Sequence, residues 1–118
     1  MKKMKIRQKT EAQLKMAQAA NLRHYRHAQE KHPGFVDEFC GLGFEGATRL
    51  LEDCRRELKE EETDGGLTAL SVLQCEIYEI CEAYERGEYE SARYEIRDAI
   101  AVLERMDDFV RAKMEQES

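Results

Sequence analysis

The sequence predicts an all-α protein, an antiparallel bundle of about four helices in a chain of 118 residues. Three observations predict this fold class. Apolar residues recur at spacings of three and four along most of the chain, which is the pattern of helices that bury one face. Pro33 is the only proline, so few positions force an element to end. Charged residues make up 37% of the chain, which suits helices with solvated outer faces.

The first predicted helix, residues 10–31, belongs to a basic arm. Residues 1–31 carry a net charge of +7, whereas the rest of the chain carries −13. Pro33 ends the helix, because proline disfavours the helical conformation in the residue before it. We therefore assign residues 1–34 to a basic N-terminal helix or arm and residues 35–118 to an all-α helical domain, the two together forming one compact unit.

Three further helices are predicted in the domain, over residues 47–62, 67–86 and 89–115. A glycine-rich stretch at residues 41–46 precedes them, and we interpret it as a hinge. Because only a residue or two separates the last two helices, they must fold back on each other as an antiparallel hairpin. The predicted buried stripe of the first arm of this hairpin consists of Leu70, Leu73, Ile77, Ile80 and Tyr84.

Two acidic pairs on the predicted hairpin carry the candidate chemistry. Glu76 and Glu79 lie on the first arm, three residues apart, so both carboxylates share one helical face. Glu95 and Asp98 have the same spacing on the second arm. At about 1.5 Å of rise per residue, both pairs lie about 12–17 Å from Gly87, so they are level with each other. The sequence therefore predicts a four-carboxylate cage between two helices whose axes are about 8–10 Å apart.

Such a cage requires a cation. Two carboxylates about 6 Å apart repel each other by roughly 3 kcal/mol at an effective dielectric constant near 20. An all-oxygen ligand set selects a hard ion, so Mg²⁺ is the expected cofactor and Mn²⁺ a possible substitute. Because Mg²⁺ commonly takes its other ligands from water and phosphate, the site favours phosphoryl chemistry. The alternative is ordinary surface charge, since a chain with 25 acidic residues forms such pairs by chance.

The segments EIYEICEAYERG and YEIRDAIAVLERM resemble the paired ExxE and ExxD helices of MazG-like all-α nucleoside triphosphate pyrophosphohydrolases. The resemblance covers about residues 67–110, with residues 47–63 supplying the preceding helix. It implies a MazG-like helical domain that hydrolyses a nucleoside or deoxynucleoside triphosphate to the monophosphate and pyrophosphate. It also implies a homodimer or higher homo-oligomer. Many members carry a glutamate where this chain has Cys75. Carried over position by position, the metal ligands and catalytic residues would be Glu76, Glu79, Glu95 and Asp98.

A triphosphate also needs cationic partners. Arg105 lies seven residues beyond Asp98, which places it two turns further on nearly the same face. Lys59 and Arg111 are further candidates for contacts to the phosphates. Taken alone, each of these three cations is better explained as a solvated side chain.

Two other functions stay open on the sequence. The chain is compatible with a non-catalytic helical interaction protein that binds nucleic acid, or a protein partner, through its basic arm. It is also compatible with a family member that binds a nucleotide without cleaving it. The sequence lacks a signal-type apolar stretch and a membrane span, so we expect a cytoplasmic protein with reduced cysteines.

Overall fold

The computed structural model describes residues 7–33 and 39–118, and within these ranges it contains four α-helices and no strand. Helix α1 spans Glu11–Lys31, α2 spans Gly43–Thr63, α3 spans Ala69–Glu85 and α4 spans Tyr89–Glu117. The predicted all-α class is confirmed. None of the helices in the described ranges combines the length and the apolar character that crossing a membrane requires.

The chain divides into two compact units. One unit combines the described residues up to Phe39 with Asp108–Ser118, and the other is Cys40–Asp107. Helix α4 therefore contributes its last turns to the first unit and the rest to the second. The predicted boundary between residues 34 and 35 lies outside the described residues.

Helix α1 is held by its ends and not by a core. Thr10 caps it, because its hydroxyl accepts a hydrogen bond from the backbone N–H of Gln13 at 3.2 Å while the Gln13 side chain accepts one from the Thr10 N–H at 2.9 Å. None of the residues of α1 is buried. Because none of its side chains is fully buried, α1 gains little stability from packing, and capping and intrinsic propensity contribute more to it.

A buried ionic cluster lies beside the start of this helix. The carboxylate of Asp108 in α4 is only 5% exposed and accepts hydrogen bonds from the Lys9 ammonium and, at 2.6 Å, from the Arg111 guanidinium. Arg111 also donates to the backbone carbonyl of Arg7 at 3.5 Å. Burial alone would raise the pKa of Asp108, but the hydrogen bonds and charges of Lys9 and Arg111 outweigh it and lower the pKa. The segment before α1 is thereby fastened to the end of α4.

The core of the second unit forms between α2 and α3. Leu51 is 1% exposed and packs with Cys54 of α2 and Cys75 of α3, and Leu58 and Tyr78 cover this cluster. Burying a leucine side chain contributes roughly 1.5–3 kcal/mol. All four cysteines of the chain are free thiols.

Glycine ends α3 and reverses the chain. Gly87 adopts a φ of +80°, a left-handed conformation that other residues adopt only at a cost in free energy. The N–H of Gly87 donates to the carbonyl of Tyr84 at 3.0 Å, and that of Glu88 donates to the carbonyl of Ala83 at 2.9 Å. These bonds satisfy the last carbonyls of the helix, and α4 begins two residues after Gly87.

Two predictions of local structure are wrong in detail. The glycine-rich stretch is not a hinge throughout, because α2 begins at Gly43 and includes Gly46. The predicted stripe of α3 is buried only in part, since Ile80 is buried whereas Leu70 and Ile77 are 59% and 45% exposed. The reason is that α2 packs against the side of α3 that carries Cys75, which turns Leu70 and Ile77 away from the core. The buried residues of α3 are Cys75, Ile80, Cys81 and Ala83.

Candidate metal centre

Three acidic side chains converge between α3 and α4. Glu76 and Glu79 come from α3 and Glu95 from α4, and one carboxylate oxygen of each lies within 4.8 Å of the other two. All three side chains are partly buried. We call this group the carboxylate cluster. It brings together three of the four residues that the spacing about Gly87 singled out.

The fourth predicted ligand, Asp98, lies beside the cluster and not within it. Asp98 is partly buried on α4, one turn beyond Glu95. Its negative charge acts on Glu76 and contributes to raising the pKa of that residue. Asp98 is therefore close enough to add to the negative potential of the cluster, although its oxygens stand outside the three that converge.

Mutual repulsion perturbs the acids of the cluster. Burial, together with hydrogen bonds to Glu79 and Glu76 and their negative charges, raises the pKa of Glu95 to about 7. Burial and the charge of Glu79 raise the pKa of Glu76, although a hydrogen bond from Glu95 opposes that rise. At neutral pH a proton on Glu95 thus relieves part of the repulsion by bridging to the other carboxylates.

The donor set fits a hard divalent cation. Oxygen Oε2 of Glu76 is buried and lacks a hydrogen-bond partner within the described part of the chain. An unsatisfied buried carboxylate oxygen is costly, and a bound cation would satisfy it while replacing the shared proton. Three carboxylates supply only half of the six oxygen ligands that Mg²⁺ requires, which leaves positions for water or phosphate oxygens.

Two contacts to the cluster were not indicated by the sequence, one from Arg55 of α2 and one from Cys75 of α3. The guanidinium of Arg55 lies 3.6 Å from Oε1 of Glu79, and the thiol of Cys75 donates to the same oxygen at 3.7 Å. Burial and the Glu79 charge raise the pKa of Cys75 to about 11, so the thiol keeps its proton. Arg55 directly follows Cys54 at the border of the α2 stripe, which is the one sequence signal that points to it.

The contacts described for the cluster include none of the three predicted phosphate-binding cations. Lys59 is exposed and lines an open hollow at the end of α2 that includes none of the four acids. Arg105 is exposed on α4, about 10 Å along the helix axis from Asp98. The side chain of Arg111 belongs to the other unit, where it donates to Asp108.

Comparison with known proteins adds no relative. No family model matches the chain, and no curated protein or solved structure is significantly similar to it. The resemblance to MazG-like pyrophosphohydrolases therefore rests on the two acidic helices themselves and stays a prediction.

Proposed function

We propose that this chain is a Mg²⁺-dependent nucleoside triphosphate pyrophosphohydrolase, which converts an NTP or dNTP and water into the monophosphate and pyrophosphate. One observation carries the proposal. Carboxylates from both arms of a helical hairpin meet in a partly buried cluster that holds more negative charge than neighbouring cations neutralise. Such a cluster is suited to a divalent ion and, through that ion, to a polyphosphate.

In this proposal Glu76, Glu79 and Glu95 hold Mg²⁺, for which Mn²⁺ can substitute, and Asp98 completes the acidic environment. When bound, the ion would supply charge neutralisation of the triphosphate and a more acidic bound water. The helices fix the directions of the three carboxylates, and their partial burial limits the water around the phosphates.

In this proposal the carboxylates of the cluster also accept the proton that the attacking water loses. The oxygen of the attacking water forms a bond to the α-phosphorus, and the bond from that phosphorus to the bridging oxygen breaks. A carboxylate oxygen of the cluster accepts the proton that the water loses, and pyrophosphate leaves.

The proposal includes a homodimer or higher homo-oligomer in the cytoplasm. Leu70 and Ile77 of α3 and Leu103 of α4 are all more than 40% exposed in the single chain. A second copy that covered these apolar side chains would gain free energy from their burial. Light scattering coupled to size-exclusion chromatography measures the oligomer directly.

The decisive test incubates the purified protein with a panel of NTPs and dNTPs plus Mg²⁺ and measures pyrophosphate release. We expect release with at least one substrate and a loss of at least about 100-fold in Glu79→Gln, because that change removes a metal ligand. Glu82→Gln is the matched control, since Glu82 lies on the same helix but pairs with Arg86 at 3.3 Å. An inactive wild-type protein across the whole panel between pH 7 and 9 would refute the activity.

One observation favours a second candidate, an interaction protein that binds nucleic acid through α1. This helix leaves all of its residues unburied while carrying Lys15, Arg23, Arg26 and Lys31. Phosphate-driven binding weakens steeply as salt rises. Retention of DNA or RNA that falls with salt, and that is lost when Arg23 and Arg26 become glutamate, would support this function. Stabilisation by a non-hydrolysable nucleotide without pyrophosphate release would instead indicate a nucleotide-binding protein that has lost catalysis.

A further inference from the structure

We infer that Arg55 of α2 is the side chain that receives the phosphate anion at the carboxylate cluster, and that it leaves its ion pair with Glu79 when metal and anion bind. This inference rests on the proposed function, because it assigns a substrate-binding residue to the same site. It differs from the sequence-based assignment, which drew the phosphate contacts from Arg105, Lys59 and Arg111.

The position of Arg55 is fixed by the core beneath it. Cys54 packs against Cys75 across the α2–α3 interface, and Cys75 in turn donates to Oε1 of Glu79. The guanidinium of Arg55 approaches that same oxygen at 3.6 Å. The backbone of Arg55 is therefore held next to the cluster by buried contacts, whereas its long side chain is mostly exposed to solvent.

The ion pair between Arg55 and Glu79 is weak enough to exchange. The Arg55 side chain is 57% exposed, and pairs of this kind contribute about 0–1 kcal/mol. A phosphate offers the guanidinium two charged oxygens in a geometry that permits paired, charge-assisted hydrogen bonds. A divalent ion bound to Glu79 would weaken this ion pair, and the guanidinium of Arg55 would then be available to the anion.

Arg55 is also the cation that the described residues place within ion-pair distance of the cluster. The neighbouring Arg56 is directed elsewhere, since it pairs with Asp53 at 2.9 Å. If Arg55 served only to neutralise Glu79, replacing it would favour metal binding and leave anion binding unchanged. If Arg55 binds phosphate, replacing it weakens anion binding without weakening metal binding.

The test uses calorimetric titration of the full chain with two probes, Mn²⁺ alone and the preformed Mg²⁺ complex of inorganic tripolyphosphate. We expect Arg55→Gln to weaken tripolyphosphate binding at least tenfold, while Mn²⁺ alone binds as well as before or up to several-fold more tightly. Arg55→Lys should fall in between, because it keeps the charge and loses the planar fork. Arg56→Gln is the matched control and should change neither affinity, since Arg56 is 67% exposed and paired with Asp53.

The outcomes separate the two proposals. A wild-type protein that fails to bind Mn²⁺ would refute the metal site and with it the proposed function. Metal binding without any binding of tripolyphosphate, or with equal binding by Arg55→Gln, would overturn the assignment of Arg55 and leave the metal site standing. Parallel weakening of both ligands in Arg55→Gln would also overturn it, because it would mean that Arg55 merely orients Glu79. Circular dichroism of each variant checks that the helices are retained.

Discussion

Two acidic sites of this protein contrast sharply, although both involve partly or fully buried carboxylates and both draw a residue from α4. Asp108 is surrounded by cations, because Lys9 and Arg111 both donate to it, and its pKa is lowered. Glu95 is surrounded by other acids, and burial and those acids raise its pKa to about 7. The same chemical group is thus stabilised as an anion at one site and destabilised as an anion at the other.

This contrast separates a carboxylate that stabilises the fold from carboxylates whose uncompensated charge is suited to binding a ligand. At Asp108 two cations offset the carboxylate charge, so the ionised carboxylate contributes to stability. At the carboxylate cluster the charges do not cancel, so the folded chain carries a free-energy cost that a proton or a cation relieves. Residues that oppose folding in this way are a common feature of functional sites. Substitutions at the two sites should therefore change stability in opposite directions.

The largest effect should come from Asp108→Ala. Removing this carboxylate takes away the charge to which the Lys9 side chain, 6% exposed, and the Arg111 guanidinium both donate. Breaking a buried ion pair in this way costs about 3–5 kcal/mol, and we expect a loss of about 3 kcal/mol in the free energy of unfolding measured with urea. Asp53→Ala is the control, because its pair with Arg56 is exposed and its loss should cost about 0.5 kcal/mol or less. Equal effects of the two substitutions would show that the Asp108 cluster contributes little.

A smaller change of opposite sign is expected for Glu95→Gln in the metal-free protein. Because the folded pKa of Glu95 is raised from its ordinary value of 4.5 to about 7, its destabilising effect is absent below pH 4.5 and grows until about pH 7. A shift of this size corresponds to about 3 kcal/mol at most, and partial exposure reduces it to about 1–3 kcal/mol. The variant should therefore be more stable than wild type at pH 8 and equally stable at pH 4.

Urea unfolding in the presence of EDTA at the two pH values measures this difference. Glu90→Gln, in the exposed first turn of α4, is the matched control and should change stability by a few tenths of a kcal/mol at either pH. If Glu95→Gln destabilised the protein at pH 8, the carboxylates would not be repelling one another, and the contrast with Asp108 would disappear.

How far each site was predictable from the sequence depends on how local its geometry is. Glu76, Glu79 and Glu95 were predictable because helical rise and the reversal at Gly87 fix their heights along the hairpin. The contact between Arg55 and Glu79 was not predictable, since it depends on which side of α3 is packed against α2. That rotation is set by the fit of Leu51 and Cys54 against Cys75, which no local pattern encodes.

The exposed side chains and the ionic cluster illustrate the same limit. Leu70 and Ile77 have the spacing of a buried stripe and yet are exposed to solvent in the single chain. Periodicity predicts that a helix has an apolar face, but it does not predict which surface packs against that face. The pair of Lys9 and Asp108 joins residues 99 positions apart, and their spacing carries no signal. Sequence reasoning therefore located the candidate ligands better than it located the residues around them.

The smallest effect, and the one that bears most directly on function, is stabilisation by Mg²⁺. At a concentration ten times its dissociation constant, an ion that binds only the folded chain adds about 1.4 kcal/mol to the free energy of unfolding. We expect this increment at pH 8 in wild type and in Asp108→Ala, and its loss in Glu76→Gln, which removes the negative charge of the ligand with the buried unsatisfied oxygen. It should shrink at pH 5, because a proton on Glu95 then competes with the ion. Thermal unfolding with MgCl₂, against NaCl of equal ionic strength, measures it. An equal increment in Glu76→Gln would place any bound Mg²⁺ away from the carboxylate cluster.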